Sequence, residues 1–529
     1  MNKSFSRLVP VAACVFAITA GYGQQPAPTA QLDRIAATVD PWVAKNRVLV
    51  ITDIANEPDD QMSMVRFLLY SNEFDVEGIV ASTSTWMRDR VRPDVVQKVI
   101  DGYEQVRPNL LEHSKDYPTV ATLRAAVTTG QTGYGMAAVG TDKMSPGAER
   151  IISAVDQGVA RKDPRPLWIS VWGGTNTLAQ ALLHVRETRS AAEVEAFVSR
   201  LRVYTISDQD DAGPWIRKEF PSLVYIAIPS TPDGDEYYRA TWTGISGDRF
   251  YRNADGADFT TFTDPWVNAN IRAKGPLGKL YIMPCCIHEG DTPSFLGLIN
   301  NGLDSFMSPS YGGWGGRYVW RQPYGEPRPF WTQGGDSYPG KDSSRDTVVG
   351  VDGAAHTSDQ ATIWRWRTAF QHDFAARMDW TLPKKPVNHN PIAVVNGQTG
   401  KAPVIIQLAA GESVMLDGSG SSDPDGDALT YKWVFYSEAG SGIPDQPVSA
   451  GAPVVIGGGN ASDGGIPSAG AGGAPQPPAR AVLDRLEGPV TKATLRTPGV
   501  AHIILVVEDK GSPSLTSYRR IILHSVPRP

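Results

Sequence analysis

Six short runs of this chain, Arg47–Thr52, Val76–Ala81, Leu167–Trp172, Leu201–Ile206, Leu223–Ile228 and Lys279–Met283, are apolar along most of their length. A strand that is apolar on both faces has to be covered on both faces, which is the situation of a parallel sheet wrapped by helices. Helix-like spacing fills the intervals. Between the first two runs, Met62, Val65, Leu68 and Leu69 recur at three- and four-residue steps. The order predicts an α/β domain, a mostly parallel sheet flanked by helices, over residues 46–384.

Each run leads into a polar segment. Asp53, Asp59 and Asp60 come after the first, Ser82-Thr-Ser-Thr85-Trp86 after the second and Gly173-Gly-Thr175-Asn176 after the third. Asp208-Gln-Asp210-Asp211 comes after the fourth, Asp233-Gly-Asp235-Glu236 after the fifth and His288-Glu289-Gly-Asp291 after the sixth. Open parallel sheets bind ligands outside the carboxyl ends of their strands, so these clusters should share one rim. Three aspartates within the eight residues Asp53–Asp60 repel one another unless a cation or a hydroxyl-rich ligand compensates them. One acidic residue would satisfy the start of the next helix, and three exceed that need. Oxygen donors without paired histidines or thiolates nearby point to Ca²⁺ or Mg²⁺ rather than zinc. Asp208, Asp210 and Asp211 read equally well as part of a site and as a turn that caps the helix before Trp215.

The glycine- and aromatic-rich stretch Pro309–Trp320 predicts a long loop, with Trp314 either stacking on a sugar ring or docked on the core. A final amphipathic helix spans Asp359–Trp380, and Pro383-Lys-Lys-Pro386 closes the domain. Residues 388–529 show short strands between Gly/Asp/Pro turns, an Ig-like β-sandwich carrying a Gly/Ala/Ser-rich insertion at 457–474. Its Ser422–Asp427 turn resembles those of PKD-type and cadherin-like domains, either a calcium site or a solvated turn.

A net charge of -6 and the lack of a long Lys/Arg block argue against a nucleic-acid partner. Lys3 and Arg7, the apolar run Leu8–Ala20 and Gly21-Tyr-Gly23 predict a signal peptide over 1–23, a flexible lead-in over 24–45, and a secreted or periplasmic protein. A lipoprotein-like box, Val11-Ala-Ala-Cys14, is the second reading of that segment. No later stretch has the ~20 apolar residues of a transmembrane helix. Cys285 and Cys286, adjacent in sequence, suit buried small residues better than a disulfide.

Strand, Asp53, five residues, Asp59-Asp60, helix resembles the aspartate motif of the nucleoside hydrolases. Thr52–Gln61 together with Arg66–Asn72 is closer to a bacterial subgroup of secreted proteins, a nucleoside-hydrolase-like domain with an Ig-like domain after it, several described as cellulose-binding. Glu289–Leu296 and Ser207–Asp211 extend the match. The resemblance implies that Asp53 binds Ca²⁺ and takes a proton from the attacking water, that Asp60 and Asp291 are calcium ligands, and that Asp59 meets a sugar hydroxyl. It makes Thr175, in the Gly173–Asn176 loop, the source of a backbone carbonyl for the metal, and Asn176, Asp208, Asp210 and Trp314 are the candidate substrate contacts. Two features depart from the hydrolase pattern. The first turn is two residues longer, and Gly290 stands where a histidine often precedes the distal aspartate, leaving His288 or Glu289 as the acid or as structural hydrogen-bonding groups. The expected function is a calcium-dependent glycosidase acting on an N- or O-glycosidic bond of a carbohydrate or nucleoside-like substrate. The alternative is a non-catalytic binder of cellulose or cell-wall polysaccharide, and a homo-oligomer is compatible with either.

Overall fold

A computed structural model describes residues 45–228, 240–246, 256–283, 288–323, 325–332, 344–383, 386–440 and 480–525. The signal segment, the lead-in up to residue 44, the Asp233–Glu236 cluster, Cys285, Cys286 and the 457–474 insertion lie outside the described residues. Among the described residues no helix is long and apolar enough to cross a membrane.

The first strand, β1 (Asn46–Thr52), is buried along its whole length and lies inside an eight-stranded sheet. Its neighbours are β2 (Phe74–Ala81) on one side and β4 (Leu167–Val171) on the other, both parallel to it. β3 (Val127–Thr129) extends the β2 side, and β5 (Leu201–Thr205) and β6 (Val224–Ala227) extend the β4 side, all parallel. Alternate side chains of β1 enter two different cores. Val48 and Val50 pack with helices α1 (Pro58–Leu69) and α2 (Pro93–His113). Leu49 and Ile51 pack with α3 (Pro146–Ala160), α4 (Asn176–Thr188) and α5 (Ala212–Glu219). The double cover explains why β1 reads as continuously apolar.

The sixth apolar run is not a strand. The amides of Leu280 and Tyr281 bond back to the carbonyls of Leu277 and Gly278, continuing the helical turn Gly275–Gly278. The sheet ends instead with β7 (Val319–Arg321) and β8 (Phe330–Thr332), the latter parallel to β6. Asp291 therefore reaches the rim from a loop and not from a strand end. A separate antiparallel pair, β9 (Asp346–Val349) and β10 (Ala355–Ser358), precedes the last helices of the domain.

The C-terminal region is built of two sheets, as expected of a sandwich. One has the order β11 (Val404–Leu408), β17 (Thr516–Ser525), β16 (Val500–Asp509), β13 (Leu429–Tyr436), and the other the order β12 (Ser413–Asp417), β15 (Val490–Leu495), β14 (Ala481–Leu483). Trp433, Leu416, Ile503 and Leu523 fill its interior. In the Ser422–Asp427 turn, Asp423 accepts the amides of Asp425 and Asp427, and Asp425 meets the His389 ring at 3.1 Å.

Trp314 takes the interior of the two positions open to it. It is 2% exposed, its indole N–H donates to the Tyr518 hydroxyl at 3.2 Å, and its ring meets Phe370 and Tyr518 edge-on. It cannot stack on a sugar, because it fills the seam between the α/β domain and the sandwich. Beside it, buried Asp346 accepts from Arg317, Arg365 and the Tyr436 hydroxyl. Arg520 of β17 donates to the carbonyls of Leu303 and Gly312. Replacing Trp314 by Ala is expected to cost about 3–5 kcal/mol of stability, seen as an early unfolding transition, while calcium binding to the folded protein stays unchanged.

Candidate metal and sugar site

The chain order fixes where a site can form. After β1 the chain adds β2 and β3 on one side, then crosses to place β4 on the other. The crevice between the carboxyl ends of β1 and β4 is the topological switch point, where open α/β sheets bind ligands. Asp53 leaves the end of β1, and Gly173-Gly174-Thr175 leave the end of β4. The two glycines are needed for space. A Cβ on Gly173 would sit 2.7 Å from Asp53 Oδ1, and one on Gly174 would sit 2.5 Å from Asp210 Oδ2.

From Asp53 the chain turns through Ile54-Ala55-Asn56-Glu57 into α1. Ala55 has a φ of 80°, a left-handed conformation costing a non-glycine residue roughly 1–2 kcal/mol. Pro58 opens the helix, and Asp59 and Asp60 fall in its first turn. No side chain caps α1 from its N-cap residue Glu57. Asp60 accepts the Thr52 hydroxyl.

Asp59, Asp60 and Asp291 complete a triad, each offering an oxygen within 4.8 Å of the others. All three are buried, and the side-chain oxygens Asp59 Oδ1 and Asp291 Oδ2 have no hydrogen-bond partner. Among the described residues this is the one such cluster of three acidic or metal-ligating groups. Burial, then mutual repulsion, pushes all three carboxyls well above their ordinary range. Asp53, also raised by burial, is held lower by the Ser84 hydroxyl. Glu57 is pushed up to about 7 by burial and by Asp53. Orphaned carboxylate oxygens and repelling charges are what a hard divalent cation satisfies, so the residues present fit the metal that the motif implied.

A clamp holds Asp291 against α1. Glu289 has a left-handed backbone (φ 53°), and its carboxylate receives Arg66 of α1 at 2.6 Å and the Tyr281 hydroxyl at 2.7 Å. Arg66 lies over the Phe374 ring at 3.9 Å and also donates to Gln371. On the other side of Asp291, the Thr292 hydroxyl donates to Ser63 of α1 at 3.0 Å.

Several of the predicted site residues have other duties. Glu289, fully buried and bound to Arg66, is not poised as an acid. His288 packs edge-on against Phe262. Asp208 forms a two-point ion pair with Arg217, at 2.8 and 2.7 Å, on the turn before α5, so it is not set to hold a substrate. Asp210 accepts the Thr175 hydroxyl and the amides of Asn176 and Ala212, a helix cap that positions the β4 loop instead of contacting substrate. The Thr175 carbonyl, expected to face the metal, accepts the amide of Ala179 as α4 begins. Asn176 is completely buried. Its amide group donates to Thr83 and to the Gly133 carbonyl, and its Oδ1 has no partner. Sequence reasoning missed Glu57, Ser84 and Arg66. Glu57 is hidden by its cap-like place before a helix, and Ser84 is one hydroxyl among four polar neighbours. Only the spacing of Arg66, one helical turn and more beyond Asp60, could have drawn attention to it.

Comparison with known proteins agrees with this fold. Residues 47–318 match the model of "Cellulose-binding Sde182, nucleoside hydrolase-like domain". The chain belongs to this Sde182 nucleoside-hydrolase-like family. Residues 413–525 match the family's C-terminal domain, described as that of cellulose-binding protein Sde0182. A solved structure from Saccharophagus degradans, a nucleoside hydrolase-related hypothetical protein associated with carbohydrate metabolism, is 33% identical over 91% of this chain and 100% of its own, with a TM-score of 0.70. A PKD domain from the KIAA 1837 protein covers 24% of this chain and 84% of its own at 18% identity, with a TM-score of 0.14. The type III effector XopQ, solved with adenosine diphosphate ribose, covers 53% and 73% at 12% identity, with a TM-score of 0.25. Neither of these two carries an argument. No curated protein matches.

Proposed function

We propose that this Sde182-family protein is an exported, calcium-dependent glycosidase that hydrolyses an N- or O-glycosidic bond at the β1/β4 crevice. The observation that carries the reading is the buried triad of Asp59, Asp60 and Asp291, with orphaned oxygens, beside Asp53. Asp60 and Asp291 would hold the cation with Asp53, and Asp59 would accept a hydroxyl of the sugar. A divalent cation bound there orients sugar hydroxyls and lowers the pKa of a coordinated water. Asp53 is the base that receives the proton from the attacking water, and the Ser84 hydroxyl favours the ionised carboxylate needed for that. The surrounding carboxylates favour positive charge developing on the sugar ring as the bond breaks.

A second reading, a binder of cell-wall polysaccharide without turnover, is favoured by one specific observation. Glu289, a candidate leaving-group acid, is consumed by Arg66. Long incubation with nucleosides and cell-wall oligosaccharides in calcium, with product analysis at the end, separates the two. Turnover that falls by about a thousandfold or more in Asp53→Asn supports the enzyme. Binding without product supports the second reading, and calorimetry showing no Ca²⁺ uptake by metal-stripped protein overturns both assignments of the triad.

A further inference from the structure

Among the described tryptophans, Trp86 is the one that is exposed, at 56%. A large apolar ring left in water is commonplace on a frayed loop, but this one stands on an ordered turn. Ser84 and Met87 bond backbone to backbone at 3.0 Å, and the amides of Trp86 and Met87 both donate to the Ser84 hydroxyl at 3.1 Å. Arg88 ties back to the Thr85 carbonyl at 2.9 Å, and Met87 is buried. The loop that carries this turn is bonded to both strand ends of the crevice, the Ser82 amide donating to the Thr52 carbonyl at 2.8 Å and the Gly174 amide to the Thr83 carbonyl at 2.9 Å. Trp86 is thus fixed to the wall of the crevice, on the loop bonded to the ends of β1 and β4.

The neighbouring loop completes a rim. The Arg88 guanidinium lies 4.4 Å from the centre of the Tyr134 ring, and Gly133 accepts from both Thr83 and Asn176. Asn176 is the completely buried residue whose Oδ1 is left without a partner, and the loops of Trp86 and Tyr134 both hold its amide. The exposed ring and the orphaned acceptor therefore belong to loops that are tied together at the crevice.

We infer that Trp86, with Arg88 and Tyr134 beside it, forms a subsite that receives a further pyranose ring of a glycan whose neighbouring sugar lies at the carboxylate triad. A ring platform open to water on its other side suits a polymer passing over it, since only one sugar face need be desolvated. A nucleobase would stack on the same ring, so the test below sets a glycan against a nucleoside. The inference deepens the proposed function and rests on it for the position of the first sugar.

The test uses the full-length protein in calcium, titrated calorimetrically with cellohexaose, glucose and inosine, as wild type and as Trp86→Ala. Cellohexaose should bind the wild type more tightly than glucose, and Trp86→Ala should weaken cellohexaose by about tenfold or more while glucose and Ca²⁺ affinities hold. Unchanged cellohexaose affinity in Trp86→Ala overturns the subsite, as does a loss that falls on inosine instead. Failure of the triad to bind Ca²⁺ overturns the parent reading alone, because the Trp86 comparison is read separately.

Discussion

Metal-free protein should lose stability as the pH rises from about 5 to about 8, and calcium should restore it. The carboxyls of Asp59, Asp60 and Asp291 lie well above their ordinary range in the folded state, and Glu57 moves from 4.5 to about 7. In the unfolded chain these groups ionise at their ordinary values. Between the two, the folded state binds more protons, so its stability is fully present below the unfolded values and declines as pH climbs through the folded ones. A cation replaces the protons. Its effect should therefore be small at pH ~5 and grow toward pH ~8, reaching about 2.7 kcal/mol when free calcium exceeds its dissociation constant a hundredfold. Thermal unfolding scans at several pH values, with chelator and with calcium, read this directly. A chelated protein equally stable across that range would show that the triad is not electrostatically frustrated. Asp60→Asn should flatten both dependences, since it removes the central charge of the cluster.

A second large effect is expected at the clamp. Glu289→Gln preserves shape but leaves the Arg66 guanidinium, fully buried, without its counter-charge. Breaking such a pair costs about 3–5 kcal/mol, whereas replacing both partners by apolar residues is frequently tolerated. The double variant Arg66→Met with Glu289→Met should accordingly be more stable than Glu289→Gln. Both variants should bind calcium more weakly than the wild type, because Glu289 fixes the loop that presents Asp291 to α1. Denaturant midpoints give the first comparison and calorimetry the second. Calcium affinity that is untouched in the folded double variant would leave the pair a purely structural element.

How far the sequence spoke depended on how far apart the interacting residues lie. Asp53, Asp59 and Asp60 announced themselves because a strand, a turn and a helix start bring them together within one short segment. The parallel sheet was legible for a similar reason, since β1 must satisfy two cores and can do so only with an unbroken apolar run. Glu289 was read as chemistry because its neighbours in sequence are His288 and Asp291, but its partner Arg66 lies 223 residues away. Trp314 was ambiguous because an aromatic among glycines looks the same on a surface loop and in a seam. The deciding contact, Tyr518, is 204 residues distant. Lys279–Met283 misled because four apolar residues in a row suit a strand as well as the end of a helical turn, where Tyr281 is drawn inward to reach Glu289.

The seam has a consequence for how such a protein can be altered. Trp314, Tyr311, Phe370, Tyr436 and Tyr518 belong to one continuous core shared by the α/β domain and the sandwich. Arg520 satisfies two carbonyls of the opposite domain, and Asp346 takes its hydroxyl donor from Tyr436. Cutting the chain after the α/β domain would uncover aromatic surface and take the Tyr436 hydroxyl from buried Asp346, so neither half is an interchangeable part. Recombination that swaps this sandwich for another would have to bring the matching face of its partner along, and the two regions should be inherited together.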